Sequence, residues 1–230
     1  MTMKKRDFIK KTLAGFGGVV ALPHAIVGQG PSNGQMDETA ACEKTPAEMK
    51  GPFPIKTPAE LMRANIVSDR TGVALLINLK IQDQSNGCTP IAGAQVDVWH
   101  CDADGNYSEY GANRLQEADY RQVSFLRGRQ TTDQNGEVSF ISIFPGWYPG
   151  RAPHIHVEVL KDGKSLLNTQ VAFPESSTSV VYSTQGYKGK EDTPNAEDGL
   201  FRNSLAGNMA DSVTGNLKDG FTLNKTITVA

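Results

Sequence analysis

Apolar and polar residues alternate along most of the chain beyond Gly72. In the run from Val73 to Ile81, Leu75, Ile77, Leu79 and Ile81 share one parity. Ala94, Val96 and Val98 alternate with Gln95, Asp97 and Trp99, and Val138 and Phe140 repeat the pattern in EVSFISIF. A period of two is the signature of a strand with one buried face. The segment from His154 to Leu160 reads as a strand with Ile155, Val157 and Val159 facing a core. Lys161-Asp162-Gly163-Lys164 is a hairpin turn, and Leu167 to Phe173 is the returning strand. A closing strand sets Phe221, Leu223, Ile227 and Val229 against Thr222, Asn224, Thr226 and Thr228. Turn clusters separate these runs in DQSNGCTPIAG, Asp102-Ala103-Asp104-Gly105-Asn106 and TDQNG. Thr57 to Ala64 reads as a short helix, with Thr57 as N-cap and Pro58 at the first helical position. Residues 109–124 and 174–218 have no clear period and read as long loops. The pattern predicts an all-β protein, a β-sandwich of mostly antiparallel strands with long loops.

The first 28 residues depart from this pattern. KKRDFIKK is followed by a Gly-rich, mildly apolar stretch from Leu13 to Leu22, the layout of a signal peptide and too short for a membrane span. Lys5-Arg6-Asp7-Phe8-Ile9-Lys10 resembles a twin-arginine signal whose first arginine is lysine. Residues 1–28 are therefore expected to be an export signal, 29–56 an N-terminal arm, and 57–230 the sandwich domain, with the protein reaching the periplasm. Of 23 basic and 25 acidic residues, Lys4, Lys5, Arg6, Lys10, Lys11 and Asp7 lie in the leader. The remainder carries 18 basic and 24 acidic side chains, a net of −6. That balance argues against a nucleic-acid partner, and no stable membrane association is expected. Self-association into a homo-oligomer stays open. Cys88 and Cys101 bracket one strand and could pair in an oxidising compartment, leaving Cys42 over; three buried thiols are the alternative.

The chemistry concentrates in Pro145 to His156, PGWYPGRAPHIH. Residues i and i+2 of a strand project to one face, so His154 and His156 stand side by side. Tyr148 lies six residues upstream of His154, and a second phenol, Tyr107, follows the Asp-Gly-Asn turn. Two imidazoles with two phenols point to ferric iron, because phenolate is a hard anionic ligand. His100 shares the parity of Val96 and Val98 and reads as a core histidine. As a third imidazole with His154 and His156 it would instead suggest a zinc hydrolase.

AGAQVDVWHCDADGNYSEY, FLRGRQTTDQNGEVSF, PGWYPGRAPHIH, LNTQ and NAEDGLFR together resemble the intradiol ring-cleavage dioxygenases, from about Thr45 to the C-terminus. The resemblance is to protocatechuate 3,4-dioxygenase and catechol 1,2-dioxygenase, and closest to the exported, single-domain branch. It implies non-haem Fe(III) held by Tyr107, Tyr148, His154 and His156, with Tyr148 the phenolate that leaves when substrate binds. It implies that Arg151 and Gln170 lie beside the substrate ring. It also implies a catechol-type substrate, opened with O2 between its hydroxyl-bearing carbons to a cis,cis-muconate-type product. PIAGAQVDVW and TTDQNGEVSF also resemble transthyretin-like and carboxypeptidase-regulatory sandwiches, which bind without catalysis; the two Tyr and two His separate these readings. Which catechol is used is not legible in the sequence.

Overall fold

The computed structural model describes residues 42–230. The basic leader, and the export reading that rests on it, lie outside the described residues. Among the described residues, nine strands run in chain order: β1 (Ala74–Asp83), β2 (Thr89–Pro90), β3 (Gln95–Trp99), β4 (Arg127–Thr131), β5 (Glu137–Ile143), β6 (His154–Lys161), β7 (Lys164–Ala172), β8 (Ser212–Asn216) and β9 (Gly220–Val229). They form two sheets. In the first, β1 pairs antiparallel with β5 and β2 and parallel with β9, which also pairs with β8. The second has the order β4-β3-β6-β7 and is antiparallel throughout. Among the described strands, the β1–β9 pair is the one parallel ladder in a sandwich otherwise built as the alternation predicts.

The alternating apolar residues meet between the sheets. Leu75, Ile77, Leu79 and Ile81 from β1 join Val96, Val98, Ile155, Val157 and Val159 from the second sheet in one buried cluster. Burying each such side chain contributes about 1.5–3 kcal/mol, so this face sets the register of every strand that supplies it.

That register fixes what lies on the other face of the second sheet. Directly opposed residues of antiparallel strands point to the same side. Arg127, Trp99, His156 and Gln170 are opposed in turn across β4, β3, β6 and β7. The neighbouring row runs Arg129, Asp97, Glu158, Asn168. A two-layer sandwich would leave these rows wet. Here Arg127, Trp99, His156 and Gln170 are all almost fully buried, because the arm and the long loops lie over them. Glu48 N donates to the Asn168 carbonyl at 2.8 Å, and Gln170 Nε2 to the Met49 carbonyl at 2.9 Å. Lys50 Nζ sits 2.6 Å from Glu158, and the Phe53 ring is buried. The arm from Cys42 onward thus packs on the domain as an extended strap.

Three local expectations change. The helix expected over 57–64 is a short 3-10 turn, Pro58–Leu61, and Thr57 makes no capping bond. Beyond it the backbone pairs elsewhere: Arg63 N donates to Arg129 O and Ile66 N to Ile141 O. The stretch 174–218 contains helix α1 (Glu175–Tyr182), helix α2 (Leu205–Asn208) and β8. Val181 and Tyr182 of α1 reach the main core. Finally, the disulfide joins Cys42 to Cys88, with Cα atoms 5.9 Å apart, and Cys101 is a buried free thiol. Cys88 and Cys101 cannot meet because β3 stands extended between them, and a strand rises about 3.3 Å per residue. Among the described residues no helix is long and apolar enough to cross a membrane.

Candidate metal centre

β6 carries His154 and His156 to the covered face. The other two rings come from loops: Tyr107 from the long β3–β4 connection and Tyr148 from the β5–β6 turn. These loops touch backbone to backbone. Gly105 lies so close to the second loop that a Cβ there would sit 2.1 Å from the Trp147 carbonyl oxygen. Gln116 pins Tyr107 by accepting from its N–H at 2.8 Å and donating to its carbonyl at 3.2 Å. The residues 109–124 that have no strand pattern therefore hold one tyrosine in place.

The four rings surround one point. Centroids lie 5.7 Å apart for Tyr107–Tyr148, 5.6 Å for Tyr148–His154, 4.8 Å for His154–His156 and 6.2 Å for Tyr107–His156. Phe53 stacks on Tyr107 at 4.5 Å, and Trp99 stacks on His156 at 4.8 Å, so both ligand candidates are walled by aromatic faces. His154 Nδ1 donates to the Ala152 carbonyl at 2.6 Å, which places its proton there and leaves a lone pair on Nε2. That Nε2 faces His156 Nε2 at 3.2 Å.

Tyr107 Oη is buried with no hydrogen-bond partner among the described residues. A buried unpaired polar atom costs about 1–3 kcal/mol, so an orphaned oxygen at such a cluster marks where a ligand belongs. Burial, then Arg151, holds the His154 imidazole down to about 3; burial, then His154, depresses His156 well below the usual range. Both rings are neutral donors. Burial pushes the Tyr148 phenol up to about 12 and raises Tyr107 well above its usual value, so neither phenol ionises without a cation beside it. Two neutral imidazoles and two phenols that need a cation to ionise fit a hard trivalent metal.

Arg151 and Gln170 stand beside this cluster. Arg151 Nη2 donates to Gln170 Oε1 at 2.6 Å and Nη1 approaches Tyr148 Oη at 3.4 Å. His100 stands apart from the set. Its Nδ1 donates to the Cys101 carbonyl at 2.8 Å, and its Nε2 accepts from Ser142 Oγ at 2.7 Å. With both nitrogens committed, His100 has no lone pair for a metal, and the three-histidine zinc alternative loses its third ligand.

A family model described as "Dioxygenase" matches residues 50–186. An intradiol ring-cleavage dioxygenase of Tetranychus urticae superposes with a TM-score of 0.73 at 33% identity, covering 82% of this chain and 95% of that one. The chain belongs to the intradiol ring-cleavage dioxygenases. The dioxygenase domain of a dioxygenase–carbohydrate-binding fusion from Streptomyces sp. SirexAA-E follows, with a TM-score of 0.59 at 27% identity, covering 81% and 97%. Chlorocatechol 1,2-dioxygenase of Rhodococcus opacus is 32% identical over 156 residues, 56% of this chain and 56% of its own length. The chain spans about half the length of the curated relatives it matches.

Two charged residues of this dioxygenase-family site escaped the sequence analysis. Arg127 is fully buried; its guanidinium donates to Ser108 Oγ at 2.9 Å, the Ser108 carbonyl at 2.7 Å and the Phe53 carbonyl at 2.8 Å, and lies 5.7 Å from the Tyr107 ring centre. It lies in FLRGRQTTDQNGEVSF, quoted above for the family resemblance alone; its opposition to Trp99 needed β4, which the alternation did not reveal. Asp198 is fully buried and accepts Arg151 Nε at 2.8 Å. Burial works to raise its carboxyl, but Arg151 and the Ala152 amide outweigh that and hold it below its usual value. It sits within NAEDGLFR, quoted above for the family resemblance alone.

Proposed function

We propose that this protein is a non-haem Fe(III)-dependent intradiol dioxygenase that opens a catechol-type ring with O2, between the two hydroxyl-bearing carbons, to a cis,cis-muconate-type product. The observation that carries this reading is the convergence of Tyr107, Tyr148, His154 and His156, with Tyr107 Oη orphaned, beside Arg151 and Gln170. Those four side chains would hold the ion. When bound, Fe(III) supplies Lewis acidity that acidifies the catechol hydroxyls and draws density from the ring. Tyr148, ionised by that cation, would accept a proton at Oη from one hydroxyl as the substrate enters. Arg151 offers a fixed positive charge toward negative charge on the ring, which a guanidinium with most of its donors already satisfied does without reorganising. Gln170, locked to the Met49 carbonyl, keeps Arg151 from swinging away. Phe53 and Trp99 exclude water from the tyrosine and histidine they cover.

The periplasmic location belongs to the same proposal. It is supported by the leader composition and by the Cys42–Cys88 bond, since structural disulfides persist in oxidising compartments. The test is a panel of catechols given to the purified ferric protein, read by O2 uptake, ring-opened product and a visible tyrosinate-to-iron band that shifts on substrate addition. A colourless, zinc-loaded protein with full activity would sink the reading.

A further inference from the structure

Arg151 is gripped by something the proposed chemistry has not used. Asp198 lies on the segment after the 3-10 turn Asn195–Glu197 and has no exposed surface. Its Oδ2 accepts both Arg151 Nε and the Ala152 amide at 2.8 Å, and its Oδ1 accepts the Leu200 amide at 2.9 Å. Two backbone donors thus fix the carboxylate before it meets the guanidinium. Phe201, three residues on, lies with its ring centre 5.6 Å from the Arg151 guanidinium carbon, and the same ring approaches His154 at 6.2 Å. Arg151 is therefore held by Asp198 at Nε, by Gln170 at Nη2 and by an aromatic ring. A buried ion pair is often no more stabilising than an apolar pair of the same volume, so its presence here points to orientation.

We propose that Asp198 is the positioning residue of Arg151, setting the direction of the guanidinium toward the substrate ring. The proposal rests on the dioxygenase reading above. Without the carboxylate, Arg151 loses its Nε anchor and pivots about Gln170, while the four ligand side chains keep their places. An effect through Arg151 alone should be seen in kcat and not in iron binding.

The experiment compares Asp198→Asn, Asp198→Glu, Arg151→Lys and the doubles on iron-loaded protein. Asp198→Asn should keep stoichiometric iron and the wild-type visible band, lower kcat ten- to a hundredfold, and change KM less than about threefold. Asp198→Glu, which keeps the charge but moves it by one methylene, should recover part of that loss. Where Asp198→Asn does not fold, Asp198→Glu carries the test with a kcat at least several-fold below wild type. In the Arg151→Lys background either change should add little, because residues acting through one group are not additive. Wild-type kcat in the folded variants, a full additive loss in the doubles, or iron loss in step with activity would each overturn the assignment. If the wild-type protein opens no catechol, the activity reading fails separately. The pair is then judged by thermal unfolding of wild type and the same five variants, where additive shifts overturn the coupling and non-additive shifts support it.

Discussion

The apolar centre of the sandwich and the aromatic cluster on its covered outer face are equally dry, yet they are assembled on different terms. Between the sheets, Leu75, Ile77, Leu79, Val96, Val98, Ile155 and Val157 carry no polar side-chain atom that could be left unpaired. On the outer face, Phe53, Trp99, Cys101, Tyr107 and Tyr148 form a second cluster against His156. Three of the seven buried, unpartnered side-chain polar atoms among the described residues belong to this region: Trp99 Nε1, Tyr107 Oη and His156 Nδ1. The first region is finished by folding alone. The second is left incomplete, and one of its orphans, the Tyr107 oxygen, is an acceptor that a cation would satisfy. Substitutions should therefore separate the two, with the outer cluster governing turnover and the centre governing stability.

The largest separation is expected from Tyr148→Phe. It removes one oxygen from a ring already packed by Phe53 and Tyr107, so stability should barely move. Losing the proton acceptor should lower turnover by about 10²–10⁴-fold, while Tyr107, His154 and His156 retain the iron. Tyr107→Phe should instead weaken iron retention and shift the visible band. Wild-type turnover in iron-loaded Tyr148→Phe would show that this phenol is not the base.

The mirror experiment is Ile77→Ala. Ile77 is fully buried between the sheets, and truncation there should cost about 2–5 kcal/mol. Iron content and kcat should survive at temperatures where the variant is folded. If kcat falls as steeply as stability, the two regions are coupled and the contrast drawn above is wrong.

The same contrast explains what could be read from the chain. The centre was legible because one face of each strand is apolar and the other is not; β1, β3, β5, β6 and β9 all follow that period. β4 did not, because Arg127 and Arg129 alternate with Gly128 and Gln130 and no apolar face remains. Its charged residues are buried by the arm, a contact no local pattern encodes. Helix α1, ESSTSVVY, is built from Ser, Thr and Val, which are indifferent helix formers, and it exists because Val181 and Tyr182 dock on the core. His154 and His156 were legible through the i, i+2 rule. Tyr107 and Tyr148 were legible as hard anionic ligands, while Arg151 and Gln170 needed the family resemblance, since loops and cross-strand register bring them together. The Cys42 partner of Cys88 was invisible for the same reason: an irregular arm gives no clue to where it lands.

That disulfide supplies the next test. It ties the start of the arm to the β1–β2 turn, across 46 residues of sequence. A loop of that length restricts the unfolded chain by roughly 4 kcal/mol in the entropic account, and 2–4 kcal/mol is the usual range. Cys42→Ser should lower thermal stability by up to that amount. Because Thr45, Glu48, Lys50 and Phe53 each hold the arm separately, kcat should fall less than about threefold. A collapse of activity without loss of stability would mean that the bond acts on the outer cluster directly.

Titration offers a finer probe of the inner side. Burial holds the His100 imidazole down to about 4, although its Cys101 hydrogen bond favours the charged form. The unfolded chain takes up this proton near pH 6.5; the folded protein does not until about pH 4. The unfolded state therefore binds more protons across that window, and stability must fall as pH drops from 6.5 toward 4. The full shift corresponds to about 3 kcal/mol. The difference in unfolding free energy between wild type and His100→Gln, followed over that range, isolates the term because other groups cancel. A pH-independent difference would mean that His100 is not held neutral by the fold.

The smallest expected effect is also the one that best locates the boundary between arm and site. Gly51 has a φ of +69°, where a side chain is disfavoured, and a Cβ added there would lie 3.0 Å from His156 Cε1. Alanine should cost about 1 kcal/mol from the backbone alone. Gly163, at the β6–β7 hairpin with a φ of +74° and nothing within 4 Å of its would-be Cβ, pays the same backbone penalty outside the candidate metal centre. Gly51→Ala and Gly163→Ala should thus lose similar stability. Only Gly51→Ala presses on the ring that stacks on Trp99, so only it should shift the visible band and lower kcat, by a few fold. A shared loss of stability with a shared, unchanged kcat would show that the arm covers His156 without setting its position.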